Sequence, residues 1–183
     1  MGQEKPLLQN CWKKKGFPVY YSDDEAKNIV NKDSELKQKI IALLGEEAYQ
    51  DGKYNRRFVA KKVFIDSEVL NELNHLIHPA VRLDFEKWVR SQTSEFIFKE
   101  TALLFELNLH EQCYKSLLVT ADDNLRIKRT MDRDSKTYRE IEAIMHKQMP
   151  EKDKIKLADY IIYNNSDLEN LQAETDAFLA KLN

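Results

Sequence analysis

Four short apolar runs, separated by long stretches with helical periodicity, constrain the fold of this chain more than any other feature of its sequence. The runs lie at residues 17–21, 96–99, 115–120 and 160–163 and are rich in valine, isoleucine, phenylalanine and tyrosine. Residues of these types are typical of buried strands. Strands that alternate with helices predict an α/β fold, in which helices cover both faces of a parallel sheet.

The length of 183 residues suits a single domain with helical inserts. The interval between the first two runs is far longer than a strand crossover needs, so we expect a helical subdomain at about 32–90. Its predicted helices are 34–44, 55–65 and 67–77, with a turn at 50–53. We expect a second helical insert that begins at its N-cap Asp122, includes about 126–150, and has its last helix ended by Pro150. A final helix is predicted at 167–182, with a buried stripe of Leu168, Leu171, Thr175, Phe178, Leu179 and Leu182.

Composition and charge exclude several classes of function. The net charge of −2, from 29 basic and 31 acidic residues, gives no overall field that would attract nucleic acid. The chain has neither an apolar stretch that could span a bilayer nor an apolar N-terminal signal, so we expect no membrane partner and a cytoplasmic location. Cys11 and Cys113 are far apart, which favours reduced thiols. The sequence leaves the oligomeric state open.

Polar residues follow the first predicted strand and flank the first proline of the helical subdomain. Asp23 begins a helical pattern directly after a strand, where it is either an N-cap or a functional residue at the strand's carboxyl end. We expect a helix to end at His78, because the residue before Pro79 avoids helical backbone angles, and to restart near Arg82. His78 is then either a cap of that terminus or a functional residue. The guanidinium of Arg82 suits bidentate binding of phosphate. No cysteine or carboxylate pattern completes a metal site around His75 and His78.

Two further segments carry candidate residues. The apolar run 103–106 after the second strand could be core and nothing more. The cation-dense segment 126–134 is typical of a solvated helix face.

Taken in order, these segments resemble the dephospho-coenzyme A kinase family, whose members phosphorylate the ribose 3′-hydroxyl of dephospho-CoA with ATP. The resemblance covers the chain from Gly16 onward. Its D-A-D-like motif reads Tyr-Ser-Asp at 21–23, with the first aspartate replaced. Its H-P-x-[IV]-R motif fits 78–82, and D/E-x-P/A-L-L-[FY]-E fits 100–106 at every position. R-x-x-x-R-D fits 129–134, and A-D-x-V-I-x-N is similar to 158–164.

The resemblance implies a P-loop kinase-like fold, ATP as co-substrate and Mg²⁺. It implies that Asp23 accepts the proton of the ribose hydroxyl and that Arg133, on a lid, neutralises the transferring phosphoryl group. It places Glu100 near the metal and the phosphates, and Arg129 and Asn164 near the nucleotide. The residues that it assigns to the acceptor substrate are His78, Arg82, Leu103, Leu104, Phe105 and Glu106.

The phosphate-binding run G-x-x-x-x-G-K-[ST] does not occur in this sequence. Gly52 alone precedes a lysine, and position 47 is Glu. Residues 6–12 predict a short amphipathic helix that begins with Pro6. Because the family places its first strand in the middle of the sheet, we interpret the N-terminus as artificially shortened or misassigned. The alternative is a non-catalytic CoA-type ligand-binding or interaction protein that kept the acceptor pocket.

We therefore predict that genomic DNA directly upstream encodes a strand and a G-x-x-x-x-G-K-[ST] loop. Restoring that segment should raise both thermal stability and ATP-dependent phosphorylation of dephospho-CoA, because the loop's backbone N–H groups hold the phosphates. Sequencing and expression of the extended frame test this. An ordinary phosphorylation rate from the chain as printed would contradict it.

Overall fold

The computed structural model describes residues 12, 15–135, 137–146 and 148–182. The chain divides into two compact units. The first unit is Pro18–Thr101, and the second unit combines Met1–Phe17 with Ala102–Asn183.

The first unit pairs two parallel strands and carries the helical subdomain between them. Strand β1 (Val19–Tyr21) pairs in parallel with β4 (Phe98–Glu100), so that Val19 lies opposite Phe98 and Tyr21 opposite Glu100. The elements between them are α1 (Ser22–Lys32), α2 (Ser34–Leu44), the 3₁₀ turn Glu46–Ala48, β2 (Tyr49–Gln50), β3 (Lys53–Tyr54), α3 (Arg56–Ile65) and α4 (Ser67–Arg90).

Local sequence signals explain the helix starts and the turn in this unit. The side chains of Asp33, Asn55 and Asp66 accept hydrogen bonds from backbone N–H groups at the starts of α2, α3 and α4. Asp51 and Gly52 have φ of 50° and 77°, the left-handed conformation that a tight β2–β3 hairpin requires. The predicted turn at 50–53 is confirmed. The helices enclose a core of Ile29, Val30, Leu36, Ile40, Leu44, Ala48, Val59 and Leu73.

Helix α4 continues through Pro79 to Arg90, so the prediction that it ends at His78 was wrong. Proline removes one backbone hydrogen bond from the interior of a helix. Leu76 and Ile77 on one side of Pro79, and Ala80 and Val81 on the other, pack against the same core. This packing holds the helix together across the proline.

The second unit also contains a parallel pair of strands. Strand β5 (Leu117–Thr120) pairs with β6 (Tyr160–Tyr163), with Thr120 opposite Tyr163. The helices described in this unit are α5 (Asp123–Asp134), α6 (Tyr138–His146), α7 (Glu151–Leu157) and α8 (Leu168–Ala180), and a 3₁₀ turn spans Leu109–Gln112. The α/β fold with parallel strand pairing is thus confirmed, with one parallel pair in each unit.

Details of the second unit differ from the sequence predictions. Pro150 precedes α7 as its N-cap residue and does not directly follow the preceding helix, whose described residues end at His146. Proline fits the start of a helix because its missing N–H would have no partner there. Asp122 occupies the N-cap position of α5 without capping it, since its carboxylate accepts from the Asn165 amide at 3.0 Å.

The final helix matches its predicted buried stripe at Leu171, Thr175, Phe178 and Leu179, whereas Leu168 is exposed. Residues 6–11 of the predicted N-terminal helix lie outside the described residues, and Trp12 is helical and buried. None of the helices in the described part of the chain is long and apolar enough to cross a membrane.

Asp159 joins the starts of β5 and β6. Its carboxylate accepts from the Ser116 N–H and hydroxyl, each at 2.8 Å, and from Lys115 Nζ at 3.1 Å. The Asp159 N–H in turn donates to the Ser116 hydroxyl at 3.0 Å. The bonds from Ser116, followed by that from Lys115, lower the pKa of Asp159 to about 2.

We expect Asp159→Asn to lower the free energy of unfolding at pH 7 and to reduce its loss in acid. A carboxyl whose folded pKa is lowered stabilises the protein above its unfolded pKa of about 3.9, and this contribution disappears as the pH falls toward 2. Urea unfolding between pH 2 and 7 measures the effect, with the exposed Asp132→Asn as control. An equal loss of stability at every pH would contradict the prediction.

Candidate active site

The carboxyl ends of β1 and β4 bring together two residues that the sequence predicted. Glu100 is the last residue of β4 and lies opposite Tyr21, the last residue of β1. Asp23 is the second residue of α1, which begins directly after β1. Parallel strands end at the same edge, and ligands of α/β folds bind at that edge.

Asp23 is not the N-cap of α1. Tyr21 holds that position without a side-chain capping hydrogen bond, and Asp23 lies in the first turn with Asp24 and Glu25. The capping interpretation was therefore wrong. Acidic residues in the first turn stabilise a helix, because they interact favourably with the partial positive charge at its N-terminus.

The electrostatics of this edge are set by carboxylates. The pKa of Tyr21 is raised, first by burial of its phenol and then by the negative charges of Glu100 and Asp24. Tyr21 is thus a neutral phenol at physiological pH, at the position where the family motif has an aspartate. Within the described residues, no group of three or more histidine, cysteine or acidic side chains is arranged to hold a metal by itself.

Tyr20 fixes α4 against β1. Its buried hydroxyl donates to Asp84 Oδ2 at 2.8 Å and to the Val81 carbonyl at 3.3 Å. Its ring lies 5.0 Å from that of Phe85 and 5.4 Å from that of Trp88, between centroids. Burial, and then the bond to Asp84, raise the pKa of Tyr20. Sequence reasoning missed this contact, because a tyrosine in a strand gives no sign of its partner.

His78 and Arg82 lie one turn apart on α4, on the same face of the helix. His78 is half-buried, and burial followed by the nearby His75 lowers its pKa, so its imidazole is neutral at pH 7. The Arg82 side chain is 67% exposed, with Nε 3.5 Å from Glu86 Oε1. The cap interpretation of His78 was wrong because α4 does not end there. Binding of an anionic ligand by Arg82 stays a prediction.

The segment from Leu103 to Glu106 lies in turns at the start of the second unit. Phe105 is buried, with its ring centroid 5.2 Å from that of His110, as the core interpretation predicts. Leu103 and Leu104 are partly buried. Glu106 Oε1 lies 2.7 Å from Lys154 Nζ and accepts the Met149 N–H at 3.2 Å. Binding of the acceptor substrate by these four residues stays a prediction.

Arg129 and Asn164 meet at the carboxyl edge of β5 and β6. The buried Asn164 donates its N–H to the Thr120 carbonyl at 2.7 Å. Arg129 donates to the carbonyls of Asn164 at 2.8 Å and Ser166 at 3.4 Å. The guanidinium therefore fixes the loop that follows β6, and the structure brings these two predicted residues together.

Arg133 makes a bidentate pair with its neighbour Asp134, both bonds being 2.6 Å long. Exposed ion pairs contribute little free energy, so an incoming phosphate could compete for this guanidinium.

Arg126, missed as a site residue, lies on the same face of α5 as Arg129 and Arg133, with a side chain only 13% exposed. The solvated-face interpretation is therefore wrong for Arg126 and Arg129.

We expect Arg129→Lys to lower the free energy of unfolding by about 1 kcal/mol, because lysine keeps the charge but cannot reach both carbonyls with a planar fork. Urea unfolding measures this, with the exposed Arg139→Lys as the matched control. Equal stability of the two variants would show that the forked contact contributes nothing.

Comparison with known proteins identifies the family. The family model described as dephospho-CoA kinase matches residues 1–170. The chain is 33% identical over 175 residues to the dephospho-CoA kinase of Fusobacterium nucleatum, covering 95% of this chain and 90% of the relative. It is 32% identical over 170 residues to that of Pasteurella multocida, covering 92% and 82%.

Solved structures show that the fold of this chain is similar to that of known proteins. The crystal structure of TT1252 from Thermus thermophilus superposes with a TM-score of 0.85 at 30% identity, covering 98% of this chain and 92% of that one. Dephospho-CoA kinase from Campylobacter jejuni superposes with a TM-score of 0.65 at 20% identity, covering 99% and 92%, and shows the fold alone. This chain belongs to the dephospho-CoA kinase family.

Proposed function

We propose that this chain transfers the γ-phosphoryl group of ATP to the ribose 3′-hydroxyl of dephospho-CoA, the last step of coenzyme A biosynthesis, in the cytoplasm. The observation that carries the proposal is the common edge of Asp23 and Glu100, beside a helix that presents His78 and Arg82. Family membership supports the reaction class and ATP as co-substrate.

In the first unit, Asp23 is suited to orient the ribose hydroxyl and to accept its proton. Phosphoryl transfer asks for a carboxylate within hydrogen-bond reach of the attacking oxygen. Because Tyr21 is neutral, it does not compete with Asp23 for that proton. Arg82 would pair with a phosphate of the acceptor, and the neutral His78 imidazole would bind without adding charge.

Mg²⁺ fits the carboxylates of this edge. It binds oxygen ligands and commonly takes one or two carboxylates together with substrate phosphates. Glu100 and Asp23 are of that kind, and the charge of Glu100 adds to the effect of burial in raising the pKa of Tyr21. When bound, Mg²⁺ would neutralise charge on the transferring group.

In the second unit, Arg129, Arg133 and Asn164 would serve the nucleotide. Arg133 would exchange its exposed partner Asp134 for phosphoryl oxygens, whose charge grows toward the transition state. Arg129 would hold the loop that carries Asn164. The segment 126–150 would act as a lid.

The non-catalytic alternative is not favoured, because the family model and the relatives compared above are kinases. Binding of dephospho-CoA without phosphorylation, in a chain extended through the predicted upstream loop, would favour the non-catalytic alternative.

We predict that Asp23→Asn lowers turnover by at least ~10²-fold and leaves the affinity for dephospho-CoA nearly unchanged, since the amide cannot accept the proton. ADP release and calorimetry measure the two quantities, in the chain as printed and in one extended through the predicted upstream loop. The control is Asp24→Asn, an exposed acid in the same helical turn that pairs with Lys27. Equal rates in both variants would remove Asp23 from the chemistry.

We predict that Arg82→Ala weakens dephospho-CoA binding by ~1–3 kcal/mol, the scale of a charge-assisted hydrogen bond. Calorimetry in the absence of ATP isolates the binding step. Arg90→Ala, an exposed arginine at the end of the same helix, serves as control. Binding that matches wild type in both variants would place Arg82 outside the acceptor site.

A further inference from the structure

A buried ion pair fixes the segment that follows the lid helices. The side chains of Glu106 and Lys154 are 16% and 8% exposed, and Oε1 lies 2.7 Å from Nζ. The same oxygen accepts the Met149 N–H at 3.2 Å. A buried charge is tolerated only where it is paired, so removal of either partner leaves the other as an unpaired buried charge. The pair therefore ties residues 149–154 to the turn that contains Glu106.

A second contact joins the two ends of the lid. Arg126 Nη1 lies 3.1 Å from Asp123 Oδ1 and 3.0 Å from Glu151 Oε2. Asp123 is the first residue of α5 and Glu151 the first of α7, so one guanidinium holds together the points where the lid leaves and rejoins the unit. We call Glu106, Lys154, Arg126 and Glu151 the basal clamp.

The helix held by the basal clamp also carries Arg133, the arginine assigned to phosphoryl transfer. Arg126, Arg129 and Arg133 follow the spacing i, i+3 and i+7, which places them on one face of α5. Arg133 lies two turns, roughly 10 Å, beyond Arg126 along the helix axis. The position of Arg126 in the clamp thus sets the direction in which Arg133 is presented.

We propose that Glu106 is a positioning residue, which acts through the basal clamp and α5 on Arg133, and not the acceptor-pocket ligand that its motif suggests. The kinetic part of this inference rests on the proposed function. Glu106 Oε2 is buried without a hydrogen bond in the described part of the chain, which is the feature that a ligand role would use. The two roles make different demands: a ligand sets the affinity for dephospho-CoA, whereas a positioning residue sets the rate of transfer.

The test compares Glu106→Gln and Lys154→Met with Glu111→Gln, an exposed acid in the neighbouring 3₁₀ turn that serves as control. Hydrogen exchange at the Met149 amide reports on the clamp independently of activity. We expect exchange at least ~10-fold faster in Glu106→Gln, because a charge-assisted bond becomes a neutral one. Turnover, measured in the chain extended through the predicted upstream loop, should fall at least ~10-fold in both clamp variants while dephospho-CoA affinity stays within about 2-fold, the pattern of a lost transition-state contact. The control should match wild type in every measurement.

Three results would overturn the inference. Affinity for dephospho-CoA that falls as far as turnover, with unchanged exchange, would make Glu106 a pocket ligand. Clamp variants that match the control throughout would show that the pair positions nothing. If a single variant fails to fold, the double variant E106Q/K154M replaces it, because it leaves no unpaired buried charge. Normal turnover in the double variant would equally refute the positioning role. Absence of phosphorylation by the chain extended through the predicted upstream loop would refute the proposed function alone, since exchange at Met149 still decides whether the clamp exists.

Discussion

The parallel hydrogen bonding of β1 with β4, and of β5 with β6, determines where the candidate site residues of each unit lie. Parallel strands end at a common edge, so residues distant in sequence become neighbours there. In the first unit this pairing places Asp23 and Glu100 together. In the second unit it joins Thr120 to Asn164, whose carbonyl then binds Arg129. The candidate site residues of each unit thus lie at the edge of the sheet where the paired strands end.

Buried polar contacts then orient the helices around these edges. The Tyr20 hydroxyl holds α4 through Asp84, and the basal clamp joins the start of α5 to α7 and α7 to the turn that contains Glu106. Apolar packing alone specifies burial more strongly than it specifies rotation of a helix, whereas a hydrogen bond is directional. Both contacts set the direction of a helix that carries arginines assigned to phosphate: Arg82 on α4 and Arg133 on α5.

The sequence predicted elements whose signals are local and failed where packing overrode such a signal. The strand at 160–163 and the helix Ser34–Leu44 were found where hydrophobic periodicity placed them. The hairpin turn followed from Asp51 and Gly52. Pro79 was interpreted as a helix end because proline removes a backbone hydrogen bond and restricts the residue before it. The apolar residues on both sides of Pro79 nevertheless pack in one core, and the helix continues. Pro150 was read as an end and is a beginning, since a proline marks a helix boundary without saying on which side the helix lies.

By itself the sequence determined the alternation of strands and helices and the family to which the ordered motifs belong, because both are written in residue type and spacing along the chain. Only the tertiary structure decided which residues of those motifs meet. It showed that Asp23 does not cap its helix and that Glu106 pairs with Lys154, which is far away in sequence and belongs to no motif. The physical reason is that a buried charge is satisfied by whichever group the fold brings within hydrogen-bond distance, and spacing along the chain does not record that partner.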